Sequence, residues 1–144
     1  MQVTSFAFNN NDELPPRYKG NLNPPLDISG VPEATKSLAL VVHDPDGVSG
    51  DYIHWTIWDI SPATSEILEG GAPKGASEGI TSAGVPGYVG PKPPRGSGTH
   101  HYTFDLYALD QVLDLLPGTR ANDLLTIIAQ HTLAKATLIG VVHA

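Results

Sequence analysis

The stretch Gly90-Pro91-Lys92-Pro93-Pro94-Arg95-Gly96-Ser97-Gly98 can be neither helix nor the middle of a sheet. Its prolines remove backbone donors and hold φ near one value, and its glycines reach conformations that other residues avoid. Directly after it, Tyr102, Phe104, Leu106 and Ala108 alternate with Thr103, Asp105 and Tyr107, the period of a strand with two unlike faces. A stiff loop therefore delivers His100 and Tyr102 to one face where a strand begins. Glycine amides can approach a ligand closely, and an imidazole and a phenol add directed donors, so a small polar pocket is expected here.

The rest of the chain is turn-rich in the same way, with 15 glycines and 13 prolines in 144 residues, which favours a β protein over a helical bundle. That length suits one domain spanning 1–144 with a substantial core. Eight Lys and Arg against 15 Asp and Glu give a net charge of -7 with no basic run, which argues against nucleic acid or an anionic membrane surface as partner. Cysteine is absent, so disulfides, thiolate chemistry and Cys-based zinc sites are excluded. The N-terminus lacks a basic segment followed by an apolar run, and no stretch approaches the length of a membrane span, so a cytoplasmic protein without stable membrane insertion is expected.

In chain order, Ser5-Phe6-Ala7-Phe8 reads as a short strand, and prolines keep Leu14–Pro16 and Asn23–Leu26 extended. Ser37–Val42 is apolar on both faces and predicts a central strand, which His43-Asp44-Pro45-Asp46-Gly47 turns out of the sheet. Tyr52–Ile60 is the next strand; alternation puts His54, Thr56 and Trp58 on one face and Ile53, Trp55 and Ile57 on the other, so Trp55 is assigned to the core. A hairpin through Val48–Asp51 would bring His54 beside the acidic turn. Residues 61–86 hold no periodicity and predict a long surface loop. One helix is legible from about Arg120 to Lys135, with Thr119 as N-cap, Asp123 in its first turn and Ala121, Leu124, Leu125 and Ile128 on one face. Thr137–Val142 predicts a last strand.

Each polar candidate also has a bland reading. Aspartates in a turn commonly cap their own backbone, and a single histidine in a strand is more often structural than ligand-binding. Asp44 and Asp46, His54, then His100 and Tyr102 come from three separated segments, and it is their convergence that favours a site. A zinc site from these groups lacks the tight spacing of known zinc motifs. An acid–base hydrolase would need a nucleophile, and no G-x-S-x-G or cysteine supports one.

These motifs, taken with their order, resemble the phosphatidylethanolamine-binding protein family in its short bacterial and archaeal, Raf kinase inhibitor-like form. Asp44-Pro45-Asp46 with His54-Trp55 is one signature; Gly90-Pro91, Pro93-Pro94, Gly96, Gly98, His100 and Tyr102 make the other. Asn23-Pro24-Pro25-Leu26, Ser37–Leu40 and Leu106–Asp110 add to the match, which covers nearly the whole chain. Gly47-Val48 stands where the family continues Ala-Pro, His101 where it has arginine, and Thr81-Ser82-Ala83 where an asparagine is usual. The resemblance implies a mainly β, sandwich-like fold: a large antiparallel sheet, a smaller sheet and a C-terminal helix. It also implies an anion pocket for phosphate-like or carboxylate-like ligands, with candidate binding residues Asp44, Asp46, His54, Gly90, Pro91, His100 and Tyr102. No catalytic residue, metal or organic cofactor is implied. A regulatory protein, acting on a kinase or a serine protease, is therefore expected instead of an enzyme, and a homodimer is compatible with the sequence.

Overall fold

The computed structural model describes residues Met1 to Ala144. Eight strands and one α-helix follow in the order β1 (Gln2–Thr4), β2 (Leu26–Ser29), β3 (Ser37–Asp44), β4 (Tyr52–Ile60), β5 (Glu66–Ile67), β6 (Ser77–Glu78), β7 (Thr99–Leu109), α1 (Ala121–His131) and β8 (Thr132–His143). A three-stranded sheet, β1-β2-β5, packs on a five-stranded sheet, β6-β4-β3-β7-β8, with every neighbouring pair antiparallel. No helix is long and apolar enough to cross a membrane.

The run Ser37–Asp44 is central because both of its faces must be covered. Leu38, Leu40 and Val42 join Phe104, Leu106, Trp55 and Ile57 in the cluster between the sheets. On the other face Ala39 and Val41 meet Leu124 and Ile128 of α1. The alternation read in β7 holds throughout: Tyr102, Phe104, Leu106 and Ala108 all enter the inner cluster.

Strict alternation fails in β4. The register passes from Val42 opposite Trp55 to His43 opposite Ile53, leaving His54 as an extra residue. Such a bulge re-aims a side chain while the ladder continues on either side. Ile53 therefore packs with the helix-side cluster and Trp55 with the inner one. His54 stands on the inner side too, its ring 4.7 Å from that of Tyr102. Trp55 is core as expected, but His54 does not lie on the face opposite it.

Three local expectations are corrected. Ser5–Phe8 is not a strand; the first strand is Gln2–Thr4, and Phe6 is 82% exposed. The helix starts close to the expected point but ends at His131 instead of Lys135, and β8 follows it without a loop. Residues 132–136 pair with Ala108, Tyr107 and their neighbours on β7, so tertiary pairing overrides the helix preference of Leu133, Ala134 and Lys135. Thr119 is not the N-cap: that place belongs to Arg120, and the Thr119 hydroxyl donates back to Leu116 O.

β8 is an edge strand, and part of its free side is covered. Leu14 N donates to Val141 O, Val141 N to Asp12 O, Asn11 N to Ile139 O, and Ile139 N to the Asn10 side chain.

Beyond α1 the outer sheet face is polar. His43 bridges two carboxylates, Asp51 at 2.8 Å through Nδ1 and Asp105 at 2.7 Å through Nε2. Thr137 donates to the other oxygen of Asp105, Oδ1, and Lys135 Nζ lies 3.6 Å from Oδ2. Burial opposes charge on His43, but the bonds to Asp105 and Asp51 outweigh it and raise its pKa above the ordinary 6.5. Stability from this bridge is present in full below pH 6.5 and is lost as pH rises through the raised value. The urea midpoint of the wild type should fall between pH 6.5 and 8.5, and that of His43→Gln should fall less. Parallel curves for the two proteins would remove His43 as the cause.

Candidate functional site

At one end of the sandwich, where β3 and β4 leave the sheet and β7 enters it, a cavity of about 640 Å³ opens. Its lining comes from the 44–54 hairpin, from Ser82 and Ala83, from the 89–94 loop, and from His100 and Tyr102. The sandwich is open there because proline, glycine and polar residues replace the apolar alternation that closes the rest of the core.

Of the seven residues singled out in the sequence, Asp44, His54, Gly90, His100 and Tyr102 line this cavity, whereas Asp46 and Pro91 do not. Asp44 is buried and serves both readings given to a turn aspartate. Oδ1 accepts from Asp46 N at 2.9 Å, while Oδ2 lies 2.6 Å from His100 Nδ1. Asp46 points the other way, accepting from His101 N and lying 2.6 Å from His101 Nδ1. The hydrogen bond from His101 holds the Asp46 carboxyl below its ordinary pKa. His101 thus occupies the face opposite His100, but it ties the turn to β7.

Gly90 is a glycine for lack of room, since a Cβ there would run into the Gly20 carbonyl oxygen and the Lys19 backbone. Its amide has no protein acceptor and lines the cavity. Gly47 closes the hairpin in a similar way, for a Cβ would meet Gly50 O. Ser82, in the segment where asparagine is usual, accepts from Ile53 N at 2.8 Å and donates its own amide to Ile53 O, which pins the loop to the start of β4.

The protonation states follow from burial. His54 is 4% exposed, and burial lowers its pKa; the Val89 carbonyl and Asp44 oppose the shift without cancelling it. Its Nδ1 lies 2.6 Å from Val89 O, which places the proton on Nδ1. Near pH 7 the neutral ring of this cavity-lining residue therefore carries an unprotonated Nε2 with no hydrogen-bond partner in the protein. Burial, then Asp44 and Tyr52, push the Tyr102 hydroxyl far above its usual pKa, so it remains a donor, and it makes no hydrogen bond to the protein. Lys92 also lines the cavity and forms no ion pair. Both carboxylates in the lining are engaged, Asp44 by His100 and Asp51 by His43.

Sequence reasoning missed Lys92 and Ser97. Ser97 Oγ lies 2.8 Å from His100 Nε2, completing the chain Asp44–His100–Ser97. A serine three residues before a histidine already singled out was the available signal. No group of three or more His, Asp or Glu side chains is placed to hold a metal ion.

The chain is 43% identical over 148 residues to a UPF0098 protein of Methanothermobacter thermautotrophicus, covering 97% of each. The Escherichia coli protein YbcL superposes with a TM-score of 0.94 at 28% identity, over 99% of this chain and 98% of that one. The phosphatidylethanolamine-binding protein homologue CT736 of Chlamydia trachomatis gives a TM-score of 0.91 at 38% identity, over 99% and 97%. A carboxypeptidase Y inhibitor, solved with its cognate proteinase, shares the fold at a TM-score of 0.57 and 19% identity, over 92% of this chain and 74% of that one. The pattern of the phosphatidylethanolamine-binding protein family matches residues 4–143, and the chain belongs to that family.

Proposed function

We propose that the cavity binds a small phosphate-like or carboxylate-like anion, and that the protein uses the occupied site in a regulatory role. The observation that carries this reading is the set of unpaired donors in the lining. Tyr102, Gly90 and Lys92, whose hydroxyl, amide and ammonium have no acceptor in the protein, line one cavity in which both carboxylates already have partners. A chain of net charge -7 can thereby present a locally anion-accepting wall. Candidate protein partners are a serine protease or a kinase. The fold shared with the carboxypeptidase Y inhibitor supports an inhibitory role, and inhibition assays on peptidases test it directly.

His54 makes the binding pH-dependent. Its Nε2 offers a lone pair to the anion when neutral and a charged donor when protonated, and the proton is taken up below the ordinary value of 6.5. Phosphate should therefore bind about tenfold or more tightly on the acid side of the His54 titration than at pH 8, the worth of one charge-assisted hydrogen bond. His54→Ala should weaken binding on that acid side and flatten the profile. The donor role expected for His100 passes to His54 in this reading, because both ring nitrogens of His100 are engaged within the protein. Calorimetry with phosphate at constant ionic strength measures it. Tighter binding at pH 8, or an unchanged profile in His54→Ala, would exclude the role given to His54.

A further inference from the structure

We propose that Ser97, His100 and Asp44 form a nucleophile–base–carboxylate relay that hydrolyses small activated carboxylic esters at the edge of the cavity. The hydrogen bonds run in sequence: Asp44 Oδ2 to His100 Nδ1 at 2.6 Å, then His100 Nε2 to Ser97 Oγ at 2.8 Å. Asp44 and His100 are buried, with side chains 4% and 2% exposed, whereas Ser97 is open to solvent. A buried carboxylate holding one ring nitrogen, with the other directed at an exposed hydroxyl, is the arrangement that turns serine into a nucleophile.

The backbone around the serine fits the same chemistry. Gly96 and Gly98 have φ of +81° and +92°, so Ser97 is presented on a sharp turn between two left-handed residues. Neither glycine amide donates to a protein acceptor, which leaves both available to an oxyanion beside Ser97. The serine touches the cavity through its two partners: Pro94, whose carbonyl lies 2.6 Å from Oγ, and His100 both line it. The hydroxyl proton thus has two acceptors, and rotation about Cβ–Oγ moves it from the Pro94 carbonyl to His100.

The step balances with water as the co-reactant. Ser97 Oγ bonds to the ester carbonyl carbon while its proton passes to His100 Nε2, and the carbonyl π electrons go to oxygen. Collapse breaks the bond to the leaving alkoxide or phenolate, which takes the proton from His100. Water then adds to the acyl-serine by the same route, releasing the carboxylic acid and restoring the hydroxyl. An activated ester is the appropriate class because the site offers no second acid for a poor leaving group.

A fluorophosphonate probe, read by intact mass and peptide mapping, tests the nucleophile, and turnover of p-nitrophenyl acetate tests the reaction. One adduct per chain is expected on Ser97. It should be absent from Ser97→Ala and form about 100-fold more slowly in His100→Gln. Ester turnover should fall about tenfold or more in Ser97→Ala. Thermal melting of Ser97→Ala separates lost chemistry from lost fold, since this exposed side chain supports no core contact. A wild-type protein that takes no label, or labels equally in Ser97→Ala, overturns the assignment. Label on Ser97 without ester turnover overturns the hydrolytic activity. Phosphate binding is measured separately, so the two readings stand or fall independently.

Discussion

Asp44→Ala is expected to lower the free energy of unfolding by about 3 kcal/mol, while Asp46→Ala, in the same turn, lowers it by less than about 1 kcal/mol. The residues are chemically identical and each lies 2.6 Å from a histidine Nδ1. Exposure separates them. The side chains of the Asp44–His100 pair are 4% and 2% exposed, against 40% and 45% for Asp46–His101. Removing Asp44 strands a buried imidazole donor and also leaves the Asp46 amide without its acceptor. Removing Asp46 leaves groups that water reaches at once. Urea unfolding of both variants at pH 7 decides it, and equal losses would mean that Asp44 is better solvated than its burial implies.

Trp55→Ala is expected to cost more, about 3–5 kcal/mol, a fall in melting temperature of roughly 10–15 °C for a chain of this size. The indole is 1% exposed within the 21-residue inner cluster and meets Tyr88 edge-on at 5.9 Å. Its Nε1 donates to Glu78 at 2.7 Å, joining β4 to the short edge strand β6. The change therefore opens a large void and orphans a carboxylate together. Trp55→Phe keeps most of the volume and should cost only about 1–2 kcal/mol, which separates packing from the hydrogen bond. A loss below about 2 kcal/mol in Trp55→Ala would mean that neighbouring side chains collapse into the space.

The course of β7 was legible because a period-two pattern leaves little freedom once one face must be buried. His100 and Tyr102 followed from it directly, as did the central place of Ser37–Val42. That His54 faces the cavity was legible, but not that it shares the inner side with Trp55, because one additional residue in β4 upsets the parity argument and nothing in Ile53-His54-Trp55 marks the insertion. The choice between Asp44 and Asp46 was illegible for a related reason. The carboxylates are two residues apart in a turn, where backbone geometry and not periodicity directs side chains. The overrun of the helix to Lys135 has another origin: Leu133, Ala134 and Lys135 favour helix locally, and only the distant β7 makes them strand. Ser97 was missed because a serine between glycines in a proline-rich loop has the composition of a linker.

The N-terminal cover on β8 bears on which main-chain groups the larger sheet leaves open to another strand. β8 runs for twelve residues along the margin of the larger sheet, long enough to template another strand. Asn10 to Leu14 occupy the main-chain groups around Ile139 and Val141, while Lys135 places a charge on the uncovered part. Loss of that short cover would expose a ready-made ladder beside two partly buried branched side chains, a composition suited to intermolecular β pairing. Removing Asn10 to Leu14, which contribute nothing to the cavity lining, would thereby leave the margin of the larger sheet open to such pairing.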